Sequence, residues 1–115
     1  MNIEPKGIVA NRLRLQKRRR LADLKIPPDG LPGSLALTHR RCGKPSCRCA
    51  DGQGHPVWSI TFMVQGKKRV ERVPDEWVEM VRERVAAGRQ FREAVAEIFA
   101  ANAQLLALWR KEQAR

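Results

Sequence analysis

All three cysteines of the 115-residue chain lie within eight positions, in the stretch CGKPSCRCADGQGH that begins at Cys42. With a following histidine they give the spacing CxxxxCxCxxxxxH, and thiolates with imidazole are the usual ligands of structural zinc. Glycines and a proline between the ligands allow tight turns, and Lys44 and Arg48 offset the negative charge of the thiolates. The pattern predicts a closed structural zinc site with four protein ligands: Cys42, Cys47, Cys49 and His55.

Other interpretations of these cysteines stay open. His39, three residues before Cys42, is a second candidate for the fourth ligand. The thiols could also carry no metal, since nearby cations lower the pKa of a thiol and leave it reactive. An iron–sulfur cluster fits less well because it normally needs four cysteines. Disulfides fit poorly too, because the number of cysteines is odd and Cys47 and Cys49 are too close in sequence to bridge comfortably.

The sequence carries none of the common catalytic patterns. No paired carboxylates stand near a histidine, no glycine-rich loop ends in Lys-Ser or Lys-Thr, and no serine occupies a nucleophile elbow. Four protein ligands would also leave zinc no open position for hydrolysis. Thiol redox chemistry at Cys47 and Cys49 is the one catalytic alternative, and CxC is a strained arrangement for a reversible disulfide. We therefore expect a binding protein and not an enzyme.

The residues around the cysteine motif predict strands that would position it. SLALTH, Leu35 to His39 with the preceding serine, alternates in a way that suits a short strand leading into Cys42. After the motif, WSITFMV alternates Trp58, Ile60 and further apolar residues with smaller ones. A glycine-containing turn, QGKK, then leads into a shorter strand, RVERV. The expected result is a β-hairpin or three-stranded sheet.

A helical region is predicted from Pro74, because proline and several acidic residues favour a helix start. Positions spaced alternately by four and three residues from Trp77 are mostly apolar, and this spacing is typical of the apolar seam of a coiled coil. Gly88 lies on the seam, so one long helix and a two-helix hairpin both stay open. The seam would pack on the hairpin or pair with a second copy of the chain, and we expect a homodimer. The seam residues are Trp77, Val81, Phe91, Val95, Ile98, Leu105 and Trp109.

Composition divides the chain into four parts. We expect a basic N-terminal arm over residues 1–25, mobile or helical on binding, and a Pro/Gly linker over residues 26–33. A zinc-binding β domain follows over residues 34–73, and the helical region covers residues 74–113. The expected fold class is α+β: a small zinc-stabilised β-hairpin or three-stranded sheet, followed by a long amphipathic, coiled-coil-like C-terminal helix or helical hairpin.

The positive charge is concentrated in the first half of the chain. Residues 1–50 carry twelve Lys and Arg against three acidic residues, a net charge of +9, out of +11 for the whole chain. Such a field attracts a polyanion, and nucleic acid is the obvious one. A β-ribbon can enter the major groove of DNA, and arginine is well suited to reading guanine. The candidate nucleic-acid-binding residues are Arg12, Arg14, Lys17, Arg18, Arg19, Arg20, Arg40, Arg41, Lys44, Arg48, Lys67, Lys68, Arg69 and Arg72.

The string GSLALTHRRCGKPSCRCADGQGHPVWSI, followed by a hairpin that ends in Val-Pro and by a long helix, resembles an uncharacterised family of short bacterial proteins. The resemblance rests on the CGKPxCRC motif and covers about residues 33 to 109. It implies an association with mobile elements and no assigned biochemical role. Members tend to have several aromatic residues after the histidine, whereas this chain has Trp58, Phe62 and no tyrosine. This departure counts against those rings as a base-stacking surface.

These observations favour a small accessory or regulatory protein that binds nucleic acid, DNA before RNA. A dimeric adaptor that acts through the C-terminal helix is the alternative, with a larger recombinase-type protein as one conceivable partner. The sequence has no run of about 18 apolar residues and no secretory signal in its first twenty residues. We therefore expect no membrane partner and a location in the bacterial cytoplasm, including the nucleoid.

Overall fold

The computed structural model describes residues 1–114. A three-stranded sheet lies between two helices in the chain, and single 3₁₀ turns follow the cysteines and precede the second helix. This arrangement confirms the α+β fold class. The helices and strands are α1 (Ile8–Asp23), β1 (Ser34–Arg40), β2 (His55–Val64), β3 (Lys67–Val73) and α2 (Val78–Gln113), and the 3₁₀ turns are Arg48–Asp51 and Asp75–Trp77.

The strands form one antiparallel sheet in the order β1-β2-β3. Gln65 and Gly66 join β2 to β3, and both have positive φ, as a type I′ hairpin turn requires. Because side chains alternate along a strand, the register divides the sheet into two faces. The helix-facing face presents Leu35, Leu37, Trp58, Ile60, Phe62, Arg69, Glu71 and Val73. The open face presents Ser34, Ala36, Thr38, Arg40, His55, Val57, Ser59, Thr61, Met63, Lys68, Val70 and Arg72.

The chain divides into two compact units. One unit is Pro28–Arg89, and the other combines Met1–Pro27 with the chain from Gln90 onward. Helix α2 contributes residues to both. In the first unit, the apolar positions of the helix-facing face pack against the first turns of α2. Burying these aliphatic and aromatic groups supplies the main favourable term for folding of this unit. The buried cluster is Ile60, Val73, Val78, Val81 and Val85, with Leu31, Leu35, Trp58 and Phe62 packed against it.

Helix α2 is continuous through Gly88, which settles the choice between one helix and two in favour of one. Glycine is required at position 88 because the linker passes close to the helix there, and the helix is not interrupted. Leu31 donates its backbone N–H to the carbonyl oxygen of Arg84, 3.0 Å away. A Cβ at Gly88 would lie 2.5 Å from the carbonyl oxygen of Leu31. Glycine therefore lets the linker cross this helix at van der Waals distance.

In the other unit, helix α1 runs antiparallel to the last part of α2. Arg20 of α1 forms an ion pair with Glu97 at 2.5 Å, and Lys17 donates to Asn102 at 3.0 Å. Residues nearer the start of α1 therefore contact residues nearer the end of α2. The buried residues of this unit are Pro5, Ala10, Ile98, Ala101 and Leu105. The segment expected as a mobile arm or a helix is a 16-residue helix. Within residues 1–114, no helix is long and apolar enough to cross a membrane.

Candidate metal centre and cationic surface

The loop between β1 and β2 carries the three cysteines, and the pairing of these two strands brings the ends of the loop together. Arg40, the last residue of β1, pairs with His55, the first residue of β2. Cys42 and His55 therefore come together beside the last rung of the sheet. At Gly54 φ is +95°, and a Cβ there would lie 2.5 Å from the carbonyl carbon of Arg40. Only glycine fits this position, directly before the histidine.

Two tight turns bring the other cysteines back to the strand ends. The N–H of Cys47 donates to the carbonyl oxygen of Lys44 at 3.1 Å, and the N–H of Ala50 donates to the carbonyl oxygen of Cys47 at 3.0 Å. The second of these turns opens the 3₁₀ helix Arg48–Asp51, which contains Cys49. The short CxC spacing thereby places its two sulfurs on the same side of the loop.

The four predicted ligands form one cluster. Their ligand atoms all lie within 4.8 Å of one another. The sulfurs of Cys42 and Cys49 are 3.4 Å apart, and the sulfur of Cys47 is 3.3 Å from Nε2 of His55. A tetrahedral ion with metal–sulfur bonds of about 2.3 Å has ligand–ligand edges of about 3.8 Å, which falls inside this range. These four residues could bind a metal ion, as their spacing predicts.

The surroundings of the loop shift the pKa values of two of its thiols in opposite directions. The pKa of Cys42 falls to about 6, because the backbone N–H of Lys44 and then the His55 side chain donate to its sulfur. At Cys49 the backbone N–H of Cys42, 3.3 Å from the sulfur, lowers the pKa, but burial and the neighbouring sulfurs outweigh it and raise the pKa overall. Because metals bind thiolates, uptake of an ion would release the proton of Cys49.

His39 is not part of the cluster. It pairs with Pro56 in the sheet, one position before the pair formed by Arg40 and His55. Since successive side chains point to opposite faces of a strand, His39 lies on the face opposite His55. Among residues 1–114 the Cys/His group contains His55 as its one histidine. The three cysteines are free thiols, with Cys49 buried, Cys47 half-buried and Cys42 exposed.

The cations predicted near the hairpin divide between the two faces of the sheet. Lys68 and Arg72 lie on the open face, together with Arg40 of β1. Arg69 lies on the other face, where it pairs with Glu71 at 2.9 Å and stacks on the ring of Phe62 at 5.9 Å. Lys67 shares that face, and Lys44 and Arg48 are exposed in the cysteine loop. The register therefore separates four cations that the sequence places together.

The six cations of α1 also divide into two groups. Three are engaged inside their own unit: Arg14 donates to the carbonyl oxygen of Pro5, Lys17 contacts Asn102, and Arg20 pairs with Glu97. In the described part of the chain, the other three side chains make no such contact and are exposed. These three are Arg12, Arg18 and Arg19.

A groove crosses the open face and ends at the metal-binding loop. Its volume is about 520 Å³. Arginines from three segments line it, and valines with one serine form its floor. Three arginines and two of the four clustered ligands belong to its lining, so the groove and the candidate metal centre share residues. The groove is lined by Arg40, Arg41, Cys42, His55, Val57, Ser59, Val70 and Arg72.

Comparison with known families identifies the chain through this same region. A family model described as a domain of unknown function, DUF6788, matches residues 12–83, more than half of the chain. The chain belongs to the DUF6788 family. The matched segment contains most of α1, the cysteine loop, the whole sheet and the first turn of α2, so the DUF6788 domain includes the candidate metal centre. No curated protein and no solved structure matches the chain.

Much of the apolar seam is used within the chain. Val81 belongs to the core beneath the sheet, whereas Ile98 and Leu105 are buried in the unit that contains α1. Phe91, Val95 and Trp109 are half-buried, and Trp77 is 54% exposed in the 3₁₀ turn before α2. These positions alone do not provide a free surface for a second copy.

Sequence reasoning missed the floor of the groove. Val57, Ser59 and Val70 face the same side of the sheet as the open-face cations. The signal was the register: Ser59 pairs with Arg72, and Thr61 pairs with Val70. Alternation along β2 shows which side chains share a face. Which residues of β3 lie opposite them depends on the position of the two-residue turn, Gln65-Gly66, and the sequence alone does not fix it.

Proposed function

We propose that this protein is a small DNA-binding module, specific for the double helix, with a structural zinc ion that holds its sheet and loop together. One observation carries the proposal. Among the described residues, the open face presents Arg40, Lys68 and Arg72 and no carboxylate. A cationic face without acids attracts the phosphate backbone and releases its counterions on binding.

The aromatic rings favour the double helix over single strands. Proteins that hold single-stranded nucleic acid stack its bases on exposed aromatic side chains. Here Trp58 and Phe62 lie on the helix-facing face, where Arg82 covers the Trp58 ring at 5.3 Å and Arg69 covers the Phe62 ring at 5.9 Å. Within residues 1–114 the open face offers no phenylalanine, tyrosine or tryptophan ring to a base. Backbone contact with a duplex needs none.

Zinc is the metal that the donor set supports best. Three sulfurs and one imidazole within 4.8 Å suit a tetrahedral ion, and zinc prefers this mixture. Four protein ligands complete the tetrahedron, so we assign the ion a structural role and propose no catalysis. It would tie Cys42, at the end of β1, to His55, at the start of β2.

The direct test is fluorescence anisotropy with the zinc-loaded full chain. Labelled duplex DNA, single-stranded DNA and structured RNA of equal length are titrated over a salt series. We expect the duplex to bind tightest, with a logarithmic affinity that falls linearly with the logarithm of salt concentration, by about 0.9 per phosphate contact. A peptide with the scrambled composition of residues 12–20 is the control for charge alone.

Each other outcome has a definite meaning. Equal affinity of the protein and the scrambled peptide for the duplex would refute the proposal. Preference for single strands would contradict the argument from the Trp58 and Phe62 rings, which arginines cover on the helix-facing face. Preference for structured RNA would favour the alternative of an RNA-binding protein.

We further propose an accessory or regulatory role beside a mobile element, as the sequence resemblance implies.

A dimeric adaptor is the second candidate function, favoured by a surface outside the predicted seam. Phe99 is 66% exposed and Leu106 is 52% exposed, and they lie seven residues apart on one side of α2. This is the spacing at which two helices pair in a coiled coil, so we propose a second copy of the chain as the occupant. Sedimentation equilibrium of the wild type and of Phe99→Arg tests it. A wild-type monomer would refute this candidate.

A further inference from the structure

The groove on the open face combines three arginines from separate parts of the chain. Arg40 ends β1, Arg41 begins the cysteine loop and Arg72 belongs to β3. The floor beneath them is made of small or aliphatic side chains, so no bulky group fills the space of about 520 Å³. None of the lining residues is acidic. The groove is therefore a concave cationic surface that an extended anion can enter.

The guanidinium groups of this groove are available to a ligand. Within residues 1–114, Arg40 and Arg72 make no side-chain hydrogen bond or ion pair. Arg41 uses Nε to donate to the carbonyl oxygen of Gly52 at 3.0 Å, and its two terminal nitrogens are left for a ligand. An arginine fork matches two oxygens of a phosphate and binds them with charge-assisted hydrogen bonds. Three such forks around one groove suit consecutive phosphates.

The candidate metal centre forms one end of this groove. Cys42 and His55 line the groove and are also members of the metal-ligand cluster. Cys42 directly follows Arg41 in the chain, and His55 is the cross-strand partner of Arg40. An ion on these two ligands fixes the backbone that carries both arginines. The metal would then act on the groove by holding its arginines in place.

We infer that the groove binds the phosphodiester backbone of one strand of duplex DNA, and that the bound metal ion holds Arg40 and Arg41 in their binding positions. The inference rests on the proposed DNA-binding function and locates it at one surface. It separates this surface from the cations of α1, which belong to the other unit.

The first test compares two arginines of the same strand. Arg72→Gln removes a groove cation, whereas Arg69→Gln removes an equal charge from the opposite face. Because a hydrogen bond between charged groups contributes substantially to the free energy of binding, we expect Arg72→Gln to weaken duplex binding about tenfold. Loss of one phosphate contact should also reduce the slope of logarithmic affinity against logarithmic salt concentration by about 0.9. We expect less than about a threefold change for Arg69→Gln. Zinc stoichiometry and circular dichroism verify that both variants fold.

The second test addresses the metal and compares two arginines of the loop. Arg41 lines the groove, and Arg48 lies in the 3₁₀ helix outside it. Arg41→Gln should weaken binding about tenfold and Arg48→Gln much less. After zinc removal by a chelator, the wild type should lose affinity, and Arg41→Gln should cause no further loss. An unchanged effect of Arg41→Gln without zinc would overturn the role of the metal.

The outcomes distinguish this inference from the broader proposal. If the wild type does not bind duplex DNA, the proposed function fails and the inference fails with it. If the wild type binds but Arg72→Gln and Arg69→Gln behave alike, DNA binding stands and the groove is not its site. Equal affinity for polyglutamate of matched charge would show that the groove takes any acidic polymer, which would overturn the phosphodiester assignment.

Discussion

Arg40 and His55 are cross-strand partners in the last pair of the β1–β2 ladder. The fourth candidate metal ligand therefore begins β2 directly opposite Arg40, which is the last residue of β1 and a cation of the groove. This one pair belongs to the sheet, includes a candidate metal ligand and lines the cationic groove. A change at either residue is thus expected to affect both the metal centre and the groove.

The first prediction concerns the fourth ligand. His55→Ala should weaken zinc binding by more than about tenfold, because even changes outside the ligand set of a metal site cost about 10- to 100-fold. His39→Ala, on the other face of the sheet, should leave affinity unchanged. Competition with a chromophoric chelator measures both variants. An equal loss in the two variants would contradict the assignment of His55.

The second prediction concerns the pH dependence of thiol reactivity in the zinc-free chain. The pKa of Cys42 is lowered to about 6, so its thiolate predominates above that pH and is lost as the pH falls through 6. The pKa of Cys49 is raised, so its thiolate forms only at alkaline pH. Iodoacetamide at pH 7 should therefore modify Cys42 first. Tandem mass spectrometry reads the sites, and equal rates at Cys42 and Cys49 would contradict the prediction.

The metal cluster and the strands were predictable because their signals are local. CxxxxCxC with a following histidine fixes the donor types, and alternation around Ile60 fixes the faces of β2. The choice between His39 and His55 was not local, since it depends on which residues pair across β1 and β2. Alternation along β3 shows that Arg69 and Arg72 face opposite ways. Which of them shares a face with Arg40 and His55 depends on the pairing with β2 and cannot be obtained from one strand alone.

For a different reason, the sequence left open whether residues 1–25 are a mobile arm or a helix, and what the apolar seam packs against. Leu13, Leu21 and Leu24 are too sparse to define a strong apolar face, so α1 gave little periodic signal. Its partner is α2, distant in sequence, and contacts such as Arg20 with Glu97 appear only when both helices are placed. The dimer expected from the seam stays a prediction.

The third prediction concerns Gly88. Alanine normally stabilises a helix by about 1 kcal/mol relative to glycine. At Gly88 a Cβ would lie 2.5 Å from the carbonyl oxygen of Leu31, and overpacking of this kind costs about 1–3 kcal/mol. Gly88→Ala should therefore lower the free energy of unfolding. Urea denaturation measures it, with the exposed Ala96→Gly as the control for helix propensity. A stabilised Gly88→Ala variant would show that the linker does not cross here.

The fourth prediction uses two adjacent leucines of α2 as a matched pair. Leu105 is 5% exposed and Leu106 is 52% exposed. Truncating a buried leucine removes transfer free energy and leaves a cavity, so Leu105→Ala should cost about 2–5 kcal/mol of unfolding free energy. Leu106→Ala should cost less than about 1 kcal/mol in the monomer, since it removes little buried surface. Urea denaturation at low protein concentration compares them. A loss at Leu106 as large as at Leu105, growing with protein concentration, would instead mean that a second copy covers Leu106.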